Sequence, residues 1–348
     1  MKRPRGMFYG CFPPTERMES RSSLSRLWGL LKKPGVSLAL RVTVSALLLA
    51  YLIRLSAFTE IARAFSRIEP LYLLGFFGLY FSSVFFTSVR WRLLLRAWDV
   101  EARLGALLRM TMTGLFLNNF LPGSLGGDAY RLYSGGRDTG KLEAVAATIF
   151  YERVLSYASL VTLGLAALSI RADLASDLPF WLLLGSVFLA LTSLTAISTL
   201  PAFGAWAENF VGRFPFAERL RLKDWVHSFR FKVRHPGLLG GVFLLSFLIQ
   251  FIDISAFRLI GAAIRLPVKF SDLLLFVPLL YLAILLPLSV NGIGIRESVF
   301  VLFAASWGIT PADAVAFSLT VFALNLAGSL AGGVIYWFDR PAKPQNSG

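Results

Sequence analysis

Apolar residues run along this chain in blocks, and six of the blocks are long enough to cross a bilayer as helices. They cover residues 36–56, 70–90, 143–169, 179–200, 236–260 and 312–337. About 20 apolar residues span roughly 30 Å of hydrocarbon at 1.5 Å per residue. The pattern predicts an all-α polytopic membrane protein with six transmembrane helices. Polar positions concentrate in the breaks between blocks, and two of those breaks repeat each other.

The first copy reads "LPGSLGGDAYR" from Leu121 and the second "LPLSVNGIGIR" from Leu286. Both follow Leu-Pro-x-Ser-x-x-Gly-x-x-x-Arg. Pro122, Ser124, Gly127 and Arg131 thus match Pro287, Ser289, Gly292 and Arg296 at a constant offset of 165 residues. The same shift carries the second block onto the fifth and the third onto the sixth. Proline removes a backbone donor and glycine permits sharp turns, so each motif is expected to break its helix. Broken backbone at membrane depth is tolerated only against protein or a wet cavity. A re-entrant helical hairpin is therefore expected within residues 101–141 and again within 272–309. A kinked transmembrane helix at each motif is the alternative.

Charge decides how the two hairpins face. Residues 1–35 hold eight basic residues, Arg90, Arg92, Arg96 and Arg103 follow the second block, and residues 201–235 bring seven more. The loop at 171–178 instead sets Arg171 against Asp173 and Asp177. Basic loops stay in the cytoplasm, which places both termini there and turns the two motifs toward opposite leaflets. The expected organisation is a basic cytoplasmic segment (1–35), a single membrane domain (36–338) and a cytoplasmic tail (339–348). The membrane domain divides into inverted halves, 36–170 and 179–338. They are joined by the outer loop 171–178, with the basic loop 201–235 inside the second half. Inverted repeats of this kind are a signature of alternating-access transporters.

Composition narrows the function. Of 348 residues 56% are hydrophobic and 16% charged, with a mean hydropathy of +0.65, whereas soluble domains carry about 25% charged residues. The net charge of +15 is spread between apolar blocks, which suits anionic lipid and membrane orientation rather than nucleic acid. Cys11 stands alone and the two histidines, His227 and His235, fall in the basic loop. No disulfide framework, metal site or cofactor is therefore expected.

Ser124 or Gly127, and Ser289 or Asn291, are expected to cap the returning half-helices, whose N-terminal amides carry partial positive charge. With Arg131 and Arg296 one turn along, each bend becomes a candidate phosphate or carboxylate cradle. The plainer reading is that serine and glycine only cap while the arginines snorkel. In "FYERVLSY", Glu152 and Arg153 fall about 15 Å into the third block. Side chains adjacent in a helix do not face each other, so each needs a partner elsewhere. Glu152 is expected to face Arg131 or Arg296, either to balance charge across a cavity or as a structural ion pair. The candidate headgroup-binding set is Asn119, Pro122, Ser124, Gly126, Gly127, Asp128, Arg131, Glu152 and Arg153 from the first half. From the second half it takes Pro287, Ser289, Asn291, Gly292, Gly294, Arg296 and Glu297. Asn118, Asp253, Arg258 and Asn325 are further cavity candidates.

"NNFLPGSLGGDAYR", "ERV" in the next block, "LPLSVNGIGIRE", and "RWRLLL" at Arg90–Leu95 together resemble the lysylphosphatidylglycerol synthase transmembrane-region family. The resemblance covers roughly residues 38–337. It implies a flippase-like protein of the inner membrane. In bifunctional members this region is assigned to flipping an aminoacylated phospholipid, and some branches are linked to hopanoids or glycosylated lipids. The chain reaches Gly348 without room for the soluble aminoacyl-transfer domain, so synthase activity is not expected. The expected activity is transport of a phosphate-bearing lipid between leaflets, without catalysis. Membrane lipids are the expected partners, with a separately encoded lipid-modifying enzyme as a further candidate. The alternative is a membrane enzyme or accessory factor in lipid, hopanoid or lipid-linked glycan metabolism. The sequence offers it no intramembrane histidine and no nucleophile–base pair.

Overall fold

The computed structural model describes residues 68–119, 126–170, 182, 185–190, 236–285, 292 and 294–338. The expected first span, most of the fourth, the basic loop 201–235 and both tails lie outside these residues. So do Pro122, Ser124, Pro287, Ser289 and Asn291.

Among the described residues the chain is helical throughout. Its helices are α1 (Pro70–Ala97), α2 (Leu104–Asn118), α3 (Gly126–Thr139) and α4 (Leu142–Ile170), then α5 (Pro236–Ala263), α6 (Phe270–Leu285), α7 (Ile295–Trp307) and α8 (Pro311–Phe338). A short helical stretch lies at 185–190. The order long, short, short, long thus occurs twice. α1, α4, α5 and α8 are long and apolar enough to cross a membrane. α2, α3, α6 and α7 have 15, 14, 16 and 13 residues. At 1.5 Å per residue they reach about 20–24 Å, short of the hydrocarbon thickness.

The short helices fold back on each other. Gly114 of α2 touches Gly127 of α3, while Leu107 lies near Gly135 and Thr139. Residues 13 apart in one continuous helix would stand about 20 Å apart, so a mere kink does not describe this segment. In the second half Gly292 meets Ile284, and Phe276 packs on Phe300 and Trp307. Each pair is an antiparallel hairpin.

The two halves interlock. α1 and α5, which correspond under the 165-residue shift, run antiparallel: Gly75 lies against Leu259, Ser83 against Asp253, and Arg90 against Ser246. α2 packs on α8 of the other half, and α6 on α4 in the same exchanged fashion. One end of the bundle gathers the α1–α2 and α3–α4 turns, where the Lys141 ammonium donates to the Asp99 carbonyl at 2.7 Å. Ile68, Leu266, Ile309 and Trp307 join one apolar cluster, which puts the α5–α6 and α7–α8 turns at the other end. The hairpins therefore open at opposite ends.

Local chemistry explains the breaks. Pro70, Pro236 and Pro311 start three long helices, where a missing N–H costs nothing. Before α8, the Thr310 hydroxyl accepts from the Asp313 N–H at 3.1 Å, and Asp313 accepts from the Thr310 hydroxyl at 2.8 Å. Left-handed residues end α1 and α5 alike, Asp99 (φ 53°) and Arg265 (φ 60°), with the next N–H donating back to the Leu95 and Gly261 carbonyls. The α2–α8 contact is backbone on backbone: a Cβ at Gly332 would fall 2.0 Å from the Met112 carbonyl oxygen.

Two expectations are corrected. The second span extends to Ala97 rather than ending at residue 90, so Arg90 is buried in the bundle instead of lying in a basic loop. The helix after the second motif starts at Ile295, so its N-cap position is Gly294 (φ 88°) rather than the expected 289 or 291.

Candidate functional site

Four of the helices carry one buried ionic network. Glu152, on α4, is met from α3 by Arg131 through two bonds, Nη2 to Oε2 at 2.6 Å and Nη1 to Oε1 at 3.2 Å. From α1, Arg90 donates Nη2 to the same Oε1 at 3.2 Å and Nη1 to the Ser246 hydroxyl of α5 at 3.0 Å. The Arg131 guanidinium also stacks 4.0 Å from the Trp91 ring centroid, a favourable cation–π distance. Trp91 is fixed in turn by its Nε1–H donating to the Thr148 hydroxyl at 3.1 Å. One residue along α4, Arg153 holds Asp128, its Nε donating to Oδ2 at 2.7 Å. Adjacent Glu152 and Arg153 thus point apart and each finds a partner on α3, as helix geometry requires.

The tip of the first hairpin is equally tight. The Gly127 N–H donates to Asn118 Oδ1 at 2.6 Å, which caps the start of α3 from the preceding helix. A Cβ on Gly127 would fall 2.3 Å from the Gly114 carbonyl oxygen, so only glycine fits this approach. Gly126 is buried beside it. Asn119 donates to the Ser329 hydroxyl at 2.9 Å and ties the tip to α8.

The second copy is built differently. Arg296 Nε donates to Glu297 Oε1 at 3.2 Å, and Glu297 Oε2 accepts the Gly294 N–H at 2.6 Å. Ser318 of α8 also donates to Glu297, at 3.1 Å. Under the 165-residue shift Glu152 corresponds to Phe317 and Arg153 to Ser318, so no acid faces Arg296 as Glu152 faces Arg131. Arg296 is 9% exposed and its Nη2 is buried without a hydrogen-bond partner. Arg131 spends both η nitrogens on Glu152 and leaves only Nε unbonded, while Arg296 reaches Glu297 through Nε and leaves Nη2 unbonded.

Both arginines face a central cavity of two adjoining lobes. The first, of about 280 Å³, is lined by Arg90, Asp128, Arg131, Glu152, Arg153 and Asp253 among others. The second, of about 300 Å³, is lined by Arg153 and Arg296 and carries no acid among its described residues. Tyr80, Tyr157, Tyr281, Asn118 and Asn325 border both. Arg258 lines neither. Gln250 and Ser83 were not expected here, nor were the three tyrosines. A signal for them exists on α5, where Ser246, Gln250 and Asp253 recur at i, i+4 and i+7, a polar stripe on an otherwise apolar helix.

These features define a polytopic helical membrane protein with a charged cavity at the junction of two like halves. The chain belongs to the lysylphosphatidylglycerol synthase TM region family, which it matches over residues 38–333. It is also similar to a UPF0104 membrane protein of Methanothermobacter thermautotrophicus, 25% identical over 296 residues that cover 78% of this chain and 86% of that one. No solved structure matches it.

Proposed function

We propose that the protein moves a lipid with a phosphate-bearing headgroup between membrane leaflets, by alternating access of two inverted halves. The observation that carries this reading is Arg296, buried with its Nη2 unpartnered on a lobe of the cavity that holds no acid among its described residues. A buried cation with a spare donor suits a phosphate oxygen, and intramembrane charges of this kind are generally functional. Antiparallel α1 and α5, and hairpins opening at opposite ends, support an inverted repeat with six spans and two re-entrant hairpins. The end carrying Arg92, Arg96, Arg103 and Lys141 faces the cytoplasm by its basic excess, in an inner membrane with cytoplasmic termini. In this reading Arg131, Glu152 and Arg90 brace the cavity, while Arg296 and Arg153 meet the headgroup. The protein does no covalent chemistry, and receives its lipid from the membrane or from a separate lipid-modifying enzyme.

The test is leaflet exchange in phosphatidylcholine liposomes carrying fluorescent phosphatidylglycerol. Wild-type protein is expected to speed exchange of this probe, and Arg296→Lys, which keeps the charge beside Glu297 but loses the planar fork, to cut the gain several-fold while melting near the wild-type temperature. Equal movement of a fluorescent diacylglycerol, which lacks phosphate, would remove the headgroup reading. Covalent change of the probe without exchange would replace transport by catalysis.

A further inference from the structure

Among the described residues the acids around the cavity are matched by cations, with one exception. Glu152 is held by Arg131 and Arg90, and Asp128 by Arg153 and Arg131. Glu297 is held by Arg296. Asp253 of α5 lines the first lobe, meets the Ser83 side chain, and makes no ion pair among the described residues. It shares this lobe with Tyr80 and Arg90 of α1, Asp128 and Arg131 of α3, Glu152, Arg153 and Tyr157 of α4, and Tyr281 of α6. α8 contributes only Asn325 to this lobe. Arg90 is already committed to Glu152 and Ser246.

A carboxylate without a counter-ion is costly in a low-dielectric cavity, and taking up a proton removes that cost. The charge balance makes the same point. Arg90, Arg131, Arg153 and Arg296 stand against Asp128, Glu152 and Glu297, which leaves one excess positive charge when Asp253 is neutral and none when it is ionised. A phosphate monoanion fits the first state.

We propose that Asp253 is the proton site of a proton-coupled carrier, loaded together with the anionic headgroup held at Arg296 and Arg153. This rests on the lipid-translocation reading above. The proton passes from water to the Asp253 carboxylate on one side and returns to water on the other, with no other bond made or broken. Coupling is reciprocal: a bound phosphate favours the protonated carboxyl, and the proton favours phosphate binding. Proton and headgroup then travel in the same direction, so lipid gathers in the leaflet facing the more alkaline solution.

The experiment imposes a pH difference across phosphatidylcholine liposomes containing fluorescent phosphatidylglycerol. Wild-type protein is expected to enrich the probe on the alkaline side, and Asp253→Asn, which mimics the protonated state, to lose that bias. Unbiased exchange by the wild type would overturn the coupling and leave translocation standing, as would a bias that survives Asp253→Asn. A bias that follows a sodium gradient instead would also overturn the proton assignment. Infrared difference spectra of the protein in nanodiscs give a readout independent of transport. A protonated-carboxyl band should titrate in wild type, shift its midpoint in Ser83→Ala and vanish in Asp253→Asn. Its persistence in Asp253→Asn, or its absence from wild type, would overturn the site. If no probe moves at all, the translocation reading fails, and the band alone decides whether Asp253 takes up a proton.

Discussion

Arg131 and Arg296 occupy the same place in their motifs and differ in what faces them. Arg131 spends both η nitrogens on Glu152, whereas Arg296 engages Glu297 through Nε and leaves Nη2 without a partner. Lysine keeps the charge but loses the planar fork. Arg131→Lys is therefore expected to lower the melting temperature in detergent with little change in probe affinity at the melting-corrected fraction folded. Arg296→Lys is expected to weaken probe binding several-fold and leave melting unchanged, and a reversal of the two patterns would exchange their roles. Removing the shared acid is harsher. Glu152→Gln leaves Arg90 and Arg131 as buried cations without an acid between them, an imbalance that typically costs about 3–5 kcal/mol. Chemical denaturation of Glu152→Gln against wild type measures this loss. A loss below about 1 kcal/mol, the scale of an exposed pair, would show that water reaches the network.

The interlocked hairpins depend on glycines that let backbones touch. A Cβ at Gly127 would meet the Gly114 carbonyl, and one at Gly332 the Met112 carbonyl, while Gly78 on α1 has nothing within 4 Å. Gly127→Ala and Gly332→Ala are expected to destabilise by about 1–3 kcal/mol through overpacking. Gly78→Ala should stabilise slightly, because alanine is the better helix former by about 1 kcal/mol. Thermal melts of the three variants give the ranking, and equal shifts for Gly332 and Gly78 would mean that α2 and α8 are not in contact. At this scale the sequence was legible where hydrophobic length alone decides: α4, α5 and α8 begin and end within a few residues of the expected bounds. It misled at Arg90, because a charge near the end of an apolar run reads as a loop when its partners on α4 and α5 are unknown. The start of α7 was missed for a related reason. Serine and asparagine are strong caps by composition, but the left-handed Gly294 and the reach of Glu297 decided the terminus.

The whole molecule is expected to present its two groups of turns to opposite faces of the membrane. With Cys11 replaced, single cysteines at Asp138 and Glu101 should label with an impermeant reagent from the cytoplasmic side only. Cysteines at Lys269 and Thr310 should label from the other side only. Labelling of Asp138 and Thr310 from one side would sink the inverted arrangement. The paired motifs and their constant offset made the repeated order of long, short, short and long helices legible in the sequence. The exchange of hairpins between halves was not, since which long helix receives a short one depends on contacts such as Gly332 on Met112 that no periodicity encodes. The ionic network was half legible. Glu152 was marked by its depth in an apolar run, while its second cation and the tyrosines around Asp253 emerged only from packing.

The mismatch between position 152 and position 317 bears on how such a machine idles. Two identical halves related by inversion would give inward-open and outward-open shapes the same energy, so an empty carrier would divide its time equally between them. A glutamate that clamps two arginines in one half, and a phenylalanine packed on Phe300 in the other, remove that degeneracy. Under the proposed transport cycle the unloaded protein would then have a preferred resting posture. The leaflet that posture faces would be where a cargo lipid first meets an open door, and an unequal pair of halves would give the cycle a default starting side.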